Sequence, residues 1–321
     1  MWATFSENFM YILKNGIKES IIMSTTNLCS KRTENIMKTY ARIMTSNIWG
    51  DYFGNPVTLR EDELYDVYMR YAPDVIGMQE ATVSWWNSNL FKKLKESYTE
   101  VDTDAPVEAW YAGQANDSST RDAINRGMCN NQNYVPLFYK TDKYDCLESG
   151  WEHFEDTPDP SKCITWAVLK DKADGGVFGV CATHYWWMSG DEKHDLIRVK
   201  NSCQMLNTMK YIEKKYSCAV FAFGDFNCRL DSMAFRTLIE GGCKDLQKEA
   251  KIASGISSHH GDPVRGEDGK YRGKPTDLGE EFSIDHIVAL GNVDVSAYKV
   301  IIDQDALDAT DHSPVYADVE I

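Results

Sequence analysis

Four apolar runs in the sequence carry a carboxylate, amide or imidazole at one end, and this arrangement most constrains the fold. The runs read VFGVCATHYW, CAVFAFGDFN, FSIDHIVA and DATDHSPVYA. Their continuous apolar character is typical of buried β-strands. Polar residues at the same edge of neighbouring strands lie close together on a rigid scaffold. The sequence therefore predicts a sheet protein with a polar site at one sheet edge.

Strand and helix patterns alternate along the chain. Strands are predicted at 41–49, 74–79, 134–139, 144–147, 164–169, 177–183, 218–223, 282–289, 293–302 and 314–321. Helices are predicted at 59–70, 85–95, 191–216 and 231–239. Asp231 is the expected N-cap of the last helix, and 282–289 is expected to pair with 293–302. Segments 113–132 and 254–280 are predicted long loops. The pattern predicts one α/β domain of two packed mixed sheets flanked by helices.

The N-terminal residues lack a clear structural or targeting pattern. Residues 1–39 are predicted to form a leader, with a single domain at 40–321. The leader's apolar residues are interrupted by Glu7, Asn8 and Lys14, so it is a poor signal peptide. No stretch approaches the roughly 20 apolar residues of a membrane span. We expect a monomer located in the cytoplasm.

The charge balance limits the partners of this chain. It has 34 Lys and Arg against 49 Asp and Glu, a formal net charge of −15. An acidic surface repels polyanions and gives no counterion-release drive toward duplex nucleic acid. The nine cysteines show no regular spacing and no C-x-x-C pair, which argues against a disulfide framework and a thiolate zinc site. A small phosphorylated substrate is favoured over nucleic acid.

Four carboxylates lie close to apolar sequence. They are Glu80, Asp225, Asp285 and Asp311. A carboxylate is rarely buried without a partner or cation, so their convergence predicts a bound metal ion. Oxygen ligands with amides suit Mg²⁺ or Mn²⁺ rather than Zn²⁺. His184 and His312 are expected to supply hydrogen bonds or proton transfer.

Each of these motifs also has a simple structural interpretation. Gly224–Asn227 is compatible with an ordinary turn. Asn47 is compatible with a loop cap, Glu80 with a solvated strand end, and His184 with a hydrogen-bonded histidine at a sheet edge. The functional interpretation depends on their joint occurrence and on their order along the chain.

Seven motifs occur in an order and spacing that resemble one known superfamily. They are SNIW (46–49), PDVIGMQE (73–80), PLFYKTDKY (136–144), ATHYW (182–186), FGDFN (223–227), SIDHI (283–287) and TDHSPV (310–315). The sequence resembles the endonuclease/exonuclease/phosphatase superfamily, over nearly everything from Arg42 onward. The resemblance implies a DNase I-like four-layer α/β/β/α sandwich.

The resemblance also implies roles for the site residues. It implies that Asn47, Glu80 and Asp311 bind the metal ion. It implies that Asp225 and Asn227 position or deprotonate the attacking water. It also implies that His184 contacts the phosphate and that Asp285 supports the terminal His312. Two departures are visible. Thr310 replaces the usual Ser of the closing triplet, and His286 stands where many members have Tyr; we interpret His286 as structural.

Three further residues are predicted to bind substrate. The Arg121–Asp122 pair and the SSHHGDP segment (257–263) are similar to a bacterial small-substrate branch near the deadenylases. Arg121 is expected to clamp a phosphate bidentately, and His260 to lie near the pocket, with a solvated loop position as the alternative. The aromatic cluster Tyr185, Trp186 and Trp187, and Trp186 in particular, is expected to line the pocket rim and stack on a sugar or base. The alternative is packing between sheet and helix, for at least one of the two tryptophans.

Together these features predict a Mg²⁺-dependent phosphoesterase, with Mn²⁺ as a substitute, that hydrolyses a small phosphomonoester or phosphodiester by in-line attack of water. One alternative is a nuclease acting on DNA or single strands; aromatic stacking favours it, and the lack of a Lys/Arg-rich stripe opposes it. The other alternative is a catalytically silent binding or scaffold protein, because fold alone does not guarantee activity.

Overall fold

A computed structural model describes residues 38–52, 54–103, 133–159 and 161–321. They belong to one compact unit, Lys38–Ile321. Most of the predicted leader, the predicted loop 113–132 and Arg121 lie outside the described residues. In the described part of the chain, no helix combines the length and apolar character needed to cross a bilayer.

Within the described residues, the first large sheet has seven strands in the order β10-β14-β15-β1-β2-β4-β3. Its strands are β1 (Tyr40–Asn47), β2 (Val75–Gln79), β3 (Tyr98–Glu100), β4 (Leu137–Lys140), β10 (Ile252–Ala253), β14 (Asp294–Val300) and β15 (Val315–Glu320). The central strand β1 runs parallel to β2 and antiparallel to β15. The sheet is therefore mixed, as predicted.

The second large sheet has six strands in the part of the chain that the structure describes, in the order β5-β6-β7-β8-β13-β9. Its strands are β5 (Tyr144–His153), β6 (Cys163–Asp171), β7 (Val177–His184), β8 (Val220–Asp225), β9 (Lys244–Asp245) and β13 (Asp285–Leu290). A separate hairpin, β11 (Val264–Arg265) and β12 (Tyr271–Arg272), lies within the predicted loop 254–280.

Helices cover the outer faces of both sheets. They are α1 (Glu61–Tyr71), α2 (Val83–Trp86), α3 (Asn89–Leu94), α4 (Glu192–Tyr216), α5 (Met233–Glu240), α6 (Leu246–Glu249) and α7 (Gln304–Ala309), with 3₁₀ turns at Val57–Leu59 and Glu280–Phe282. Leu64 of α1 packs into the core that contains β1 and β2, whereas Met209 of α4 packs with Val220 of β8. The predicted α/β/β/α sandwich is confirmed.

Two predicted helix boundaries are wrong. The helix predicted at 85–95 is two helices, because Ser88 has an extended backbone and its Oγ accepts a hydrogen bond from the Phe91 amide, which starts α3. The N-cap of α5 is Ser232 rather than Asp231, since the Ser232 Oγ accepts from the Phe235 amide at 3.1 Å. Asp231 instead forms a surface ion pair with Arg229.

The predicted pairing of 282–289 with 293–302 is also wrong. β13 pairs with β8 and β9 in the second sheet, whereas β14 pairs with β15 and β10 in the first sheet. Gly291 lies between them with a φ of 103°, a conformation that glycine adopts without steric cost. The chain therefore crosses from one sheet to the other where the sequence predicts a hairpin.

The two sheets approach each other closely at Gly77 of β2. A Cβ atom at this position would lie 2.6 Å from the ring of Phe223 in β8 and 2.7 Å from the Cβ of Ala182 in β7. Both neighbours are fully buried. The absence of a side chain at Gly77 therefore sets the local spacing between the sheets.

We predict that Gly77→Ala lowers the free energy of unfolding by about 1–3 kcal/mol, because an added methyl group overpacks a closed interior. Gly255→Ala is the control, since nothing lies within 4 Å of a Cβ built there. Urea denaturation of the two variants measures the difference. Equal midpoints for both would contradict the tight packing at Gly77.

Candidate active site

Strand register in the second sheet aligns three of the predicted site residues. His184 ends β7 opposite Asp225 in parallel β8, and Asp285 begins β13 opposite the same Asp225. All three side chains are buried. The Asp225 Oδ2 lies 3.4 Å from the His184 Nε2. One row across three strands therefore forms the centre of the site.

The first sheet contributes Asn47 and Glu80 at the ends of β1 and β2. Asn47 lies opposite Gln79, so Glu80 is the next residue beyond the paired strands. The Glu80 carboxylate accepts hydrogen bonds from the Gly50 amide at 2.8 Å and the Asn47 Nδ2 at 3.2 Å. The same Nδ2 lies 3.1 Å from the Asp225 Oδ2. Asn47 thus connects the two sheets at the site.

The segment before β15 closes the site. The Thr310 Oγ1 donates to the Asn47 carbonyl at 2.7 Å, which fixes the neighbouring Asp311 and His312. The His312 Nδ1 lies 2.8 Å from the Asp285 Oδ2, and its Nε2 lies 3.9 Å from the Asp225 Oδ2. Asp285 therefore orients His312 toward Asp225. The replacement of Ser by Thr310 retains the hydroxyl that makes this connection.

Asn227 lies directly after β8 in a left-handed conformation with a φ of 48°. Its amide donates to the Asp225 Oδ1 at 2.8 Å, and its Nδ2 donates to the Tyr185 carbonyl at 3.2 Å. These bonds hold both Asp225 and the Asn227 side chain in the wall of the site. His286, the other departure from the superfamily pattern, is buried, with its Nε2 2.7 Å from the Cys228 carbonyl.

The buried charges strongly perturb one another. Burial alone would raise the pKa of Asp225, but the hydrogen bond and charge of His184, followed by the charge of His312, hold it well below its usual value. Burial would lower the pKa of His312, but Asp285 and Asp311 raise it well above the ordinary value. The resulting state is an aspartate beside an imidazolium, which suits the binding of an anion next to a proton acceptor.

Asp311 differs from Asp225, because burial and the nearby Glu80 raise its pKa to about 7 against the opposing charge of His312. Carboxylate oxygens, such as those of Glu80 and Asp311, are the ligand type that suits Mg²⁺ or Mn²⁺. The Asn47 side chain presents its Nδ2 to Glu80 and Asp225, while its oxygen accepts from the Trp49 amide at 3.0 Å. The chemistry of the two carboxylates therefore fits their predicted role as metal ligands.

Among the described residues, two groups of three carboxylate or imidazole side chains have ligand atoms within 4.8 Å of one another. They are Asp225 with Asp285 and His312, and His259 with Asp311 and His312. Both depend on His312, whose Nδ1 is already engaged by Asp285 and whose raised pKa favours the protonated form. A metal ion binds neutral imidazole. We therefore favour Glu80 and Asp311 as the carboxylate ligands.

Of the three predicted substrate-binding residues, the structure describes Trp186 and His260, and neither lines the cavity over the site. Arg121 lies outside the described residues. Trp186 is only 6% exposed, and its indole donates to the His194 Nδ1 at 2.9 Å, so it packs between sheet and helix. The ring nitrogens of His260 are buried, and its backbone amide donates to the Asp311 carbonyl at 3.0 Å. His260 therefore supports the closing segment through its backbone.

A cavity of about 340 Å³ opens over the site residues. Its walls include Glu80, His184, Asp225, Asn227, Asp311 and His312, together with Trp49, Tyr52, Tyr134, Asp159, Lys162, Trp187 and Asp262. Of the second group, only Trp187 is indicated by the sequence, as part of the aromatic cluster that follows His184. The adjacent Trp187, rather than Trp186, is the tryptophan of this region that lines the cavity.

Lys162 is a buried lysine in this wall, with only 4% of its surface exposed, and burial lowers its pKa against the opposing charge of Asp159. Its Nζ lies 3.0 Å from the His184 Nε2 and 5.6 Å from the centre of the Tyr134 ring. The Tyr134 ring also stacks on His184. Lys162 directly precedes β6, so the same pattern of polar residues at strand ends would have identified it.

Arg60 is fully buried behind the site, and sequence patterns did not indicate it. Its guanidinium donates to the carbonyls of Ile48, Trp49 and Asn55, and to that of Ala309 directly before the closing segment. One side chain thus connects the loop after β1 to the segment that carries Asp311 and His312.

We predict that Arg60→Met lowers the free energy of unfolding by roughly 3 kcal/mol, because several buried carbonyls lose their donor. Arg70→Met is the matched control. Arg70 is 46% exposed at its side chain and pairs with Asp303 and Asp305 on the surface, where such pairs contribute about 0–1 kcal/mol. Guanidinium denaturation measures both changes. If Arg60→Met lowered the free energy of unfolding no more than Arg70→Met, the role of Arg60 in connecting the two segments would be contradicted.

Comparisons with known proteins bear on this architecture. The chain matches no protein-family model and no curated protein. Three similar solved structures come from Bacteroides. An endonuclease/exonuclease/phosphatase family protein of Bacteroides thetaiotaomicron is 18% identical, with a TM-score of 0.68 over 89% of this chain and 99% of that one. An endonuclease/exonuclease/phosphatase of Bacteroides vulgatus is 24% identical, with a TM-score of 0.66 over 88% and 100%.

The third is a mannosyl-6-phosphatase of Bacteroides thetaiotaomicron, 19% identical, with a TM-score of 0.63 over 87% of this chain and 99% of that one. All three alignments span almost the whole described unit and nearly all of the other chain. At these identities the likeness concerns the fold. The chain therefore has the endonuclease/exonuclease/phosphatase fold, which the seven sequence motifs predicted.

Proposed function

We propose that this protein is a divalent-metal-dependent phosphoesterase that hydrolyses a small phosphomonoester or phosphodiester with water. The observation that carries the proposal is the environment of Asp225. Its carboxylate is contacted by Asn47 from one sheet and lies beside His184 and His312 at the edge of the other. A buried aspartate between two histidines, at the base of an open cavity, is suited to hold a water molecule against a phosphate.

The metal ligands we propose are Glu80, Asn47 and Asp311. A divalent cation bound there would supply charge neutralisation to the phosphate and the leaving oxygen. The two carboxylates line the same cavity as Asp225, so phosphate and water would meet between them. The mannosyl-6-phosphatase with the same fold acts on a phosphate ester, which supports this choice of reaction.

The chain's own side chains account for the remaining steps. Asp225 orients the water and accepts its proton as the oxygen attacks phosphorus in line with the leaving group. Asn227 holds the water or a phosphate oxygen. His312, oriented by Asp285, and His184 donate hydrogen bonds to the non-bridging oxygens as negative charge develops. Lys162, beside His184, adds a positive charge to the same wall.

We predict that Asp225→Asn lowers kcat by about 10²–10⁴-fold, because the amide retains the shape of the carboxylate but cannot accept the proton. Phosphate release from an aryl phosphate, with Mg²⁺ or Mn²⁺, measures the loss. Asp294→Asn, at an exposed position at the start of β14, is the control. Near-normal turnover by a folded Asp225→Asn variant would refute the role assigned to Asp225.

Assays of the wild-type protein with small phosphate esters and with short oligonucleotides distinguish the proposed function from its two alternatives. Cleavage of short oligonucleotides without release of phosphate from small esters would favour the nuclease. Absence of both activities with either metal would favour a silent binding protein on this fold.

We predict that Glu80→Gln weakens binding of Mg²⁺ and Mn²⁺, because it removes one of two carboxylate ligands. In the wild type, a metal concentration of about 100 times Kd should stabilise the fold by about 2.7 kcal/mol. The rise in Tm on adding metal should shrink in Glu80→Gln and persist in Glu96→Gln, which alters an exposed glutamate after α3. An undiminished rise in Glu80→Gln would place the metal elsewhere.

A further inference from the structure

We propose that the part of the substrate beyond the phosphate is a neutral, hydroxyl-rich skeleton, as in a sugar or polyol phosphate. This inference rests on the proposed phosphoesterase function and names its substrate class. It derives from cavity-wall residues to which the proposed chemistry gives no role: Asp159, Asp262 and Trp187.

Asp159 and Asp262 place two extra carboxylates on the cavity wall. Asp159 accepts a hydrogen bond from the Ser161 amide at 2.9 Å. Among the described residues, neither carboxylate makes ion-pair contact with a lysine, arginine or histidine, although the charge of Asp159 opposes the lowering of the Lys162 pKa by burial. Both therefore add negative charge to a cavity that we expect to receive a phosphate. This arrangement disfavours any further anionic group on the substrate.

Ionised carboxylates only accept hydrogen bonds, so they favour donors on the ligand. Sugar and polyol hydroxyls are such donors and add no charge. A polynucleotide would instead bring flanking phosphates toward Asp159 or Asp262, which costs Coulomb energy. The arrangement thus favours a substrate with a single phosphate at the proposed metal ligands and hydroxyl groups at Asp159 and Asp262.

A substrate with an ammonium group would also satisfy two carboxylates, but the aromatic walls disfavour it. Recognition of alkylammonium ions uses several open ring faces. Tyr134 is stacked on His184 and lies beneath the Lys162 ammonium. The Trp49 ring is covered by the Arg60 guanidinium, 4.7 Å from its centre. Lys162 would repel a second cation in the same cavity.

Trp187 supplies the remaining element of sugar recognition. It is 58% exposed at the cavity, whereas the adjacent Trp186 is buried against α4. An exposed indole beside carboxylates suits a ring with apolar CH faces and polar edges, because the indole contacts the faces and the carboxylates accept from the hydroxyls. Asp159, Asp262 and Trp187 are therefore the proposed specificity residues.

The test compares kcat/KM for a hexose 6-phosphate with kcat/KM for propyl phosphate, which has the same ester linkage and no hydroxyl groups. Wild type should prefer the hexose 6-phosphate. In Asp159→Ala, Asp262→Ala and Trp187→Ala we expect the ratio of the two values to fall by about tenfold, as for loss of one binding contact. Using a ratio within each variant cancels any difference in the folded fraction.

Asp156→Ala is the matched control, because Asp156 lies on the same connection between β5 and β6 but pairs with Lys200 outside the cavity. Its ratio should equal that of wild type. An unchanged ratio in all three cavity variants would overturn the inference, as would a wild-type preference for phosphocholine or a dinucleotide. Hydrolysis of propyl phosphate in those cases would leave the proposed function intact. If wild type with Mg²⁺ or Mn²⁺ hydrolyses none of these compounds, the proposed function fails and the inference fails with it.

Discussion

The register of β8 with its two neighbours is the constraint on which the site depends. Parallel pairing with β7 and antiparallel pairing with β13 bring His184, Asp225 and Asp285 into one row. Because side chains alternate along a strand, a one-residue slip would move a whole strand's side chains to the other face. The close sheet contact at Gly77 then brings Asn47 within hydrogen-bonding distance of Asp225. The same strand register and sheet spacing therefore determine both the packing of the core and the assembly of the site.

The buried carboxylates divide into two pairs with different electrostatic partners. Asp225 and Asp285 lie on either side of His312, whose positive charge compensates them. Glu80 and Asp311 form no ion pair within the described residues, and burial, followed by the charge of Glu80, raises the pKa of Asp311. Removing charge from water is costly unless an opposite charge is supplied. This asymmetry explains why we place a cation on the second pair and a water molecule on the first.

Local sequence predicted the parts of the site that follow apolar strands. Asp225 is an example, because an apolar run and a polar end residue are adjacent in the chain and mark a strand edge whatever the tertiary fold. Arg60 could not be found in this way, since its four carbonyl partners come together only after folding. Which of Trp186 and Trp187 lines the cavity could not be predicted from the sequence for a related reason. Trp186 is buried by its contacts with His194 and Asn201 of α4, which form only after folding.

The size and charge of the cavity act together on the choice of substrate. A volume of about 340 Å³ among the described residues is near the lower end of the roughly 300–1,000 Å³ typical of ligand sites. Lys162 and His312 lie in the same wall as the proposed metal ligands, whereas Asp159 and Asp262 add negative charge without an ion-pair contact among the described residues, although the charge of Asp159 acts on Lys162. A compact molecule with one phosphate and a neutral remainder suits both the side of the cavity with Lys162 and His312 and the side with Asp159 and Asp262. A longer anion could place one phosphate near Lys162 and His312 only by bringing its other charges toward Asp159 and Asp262.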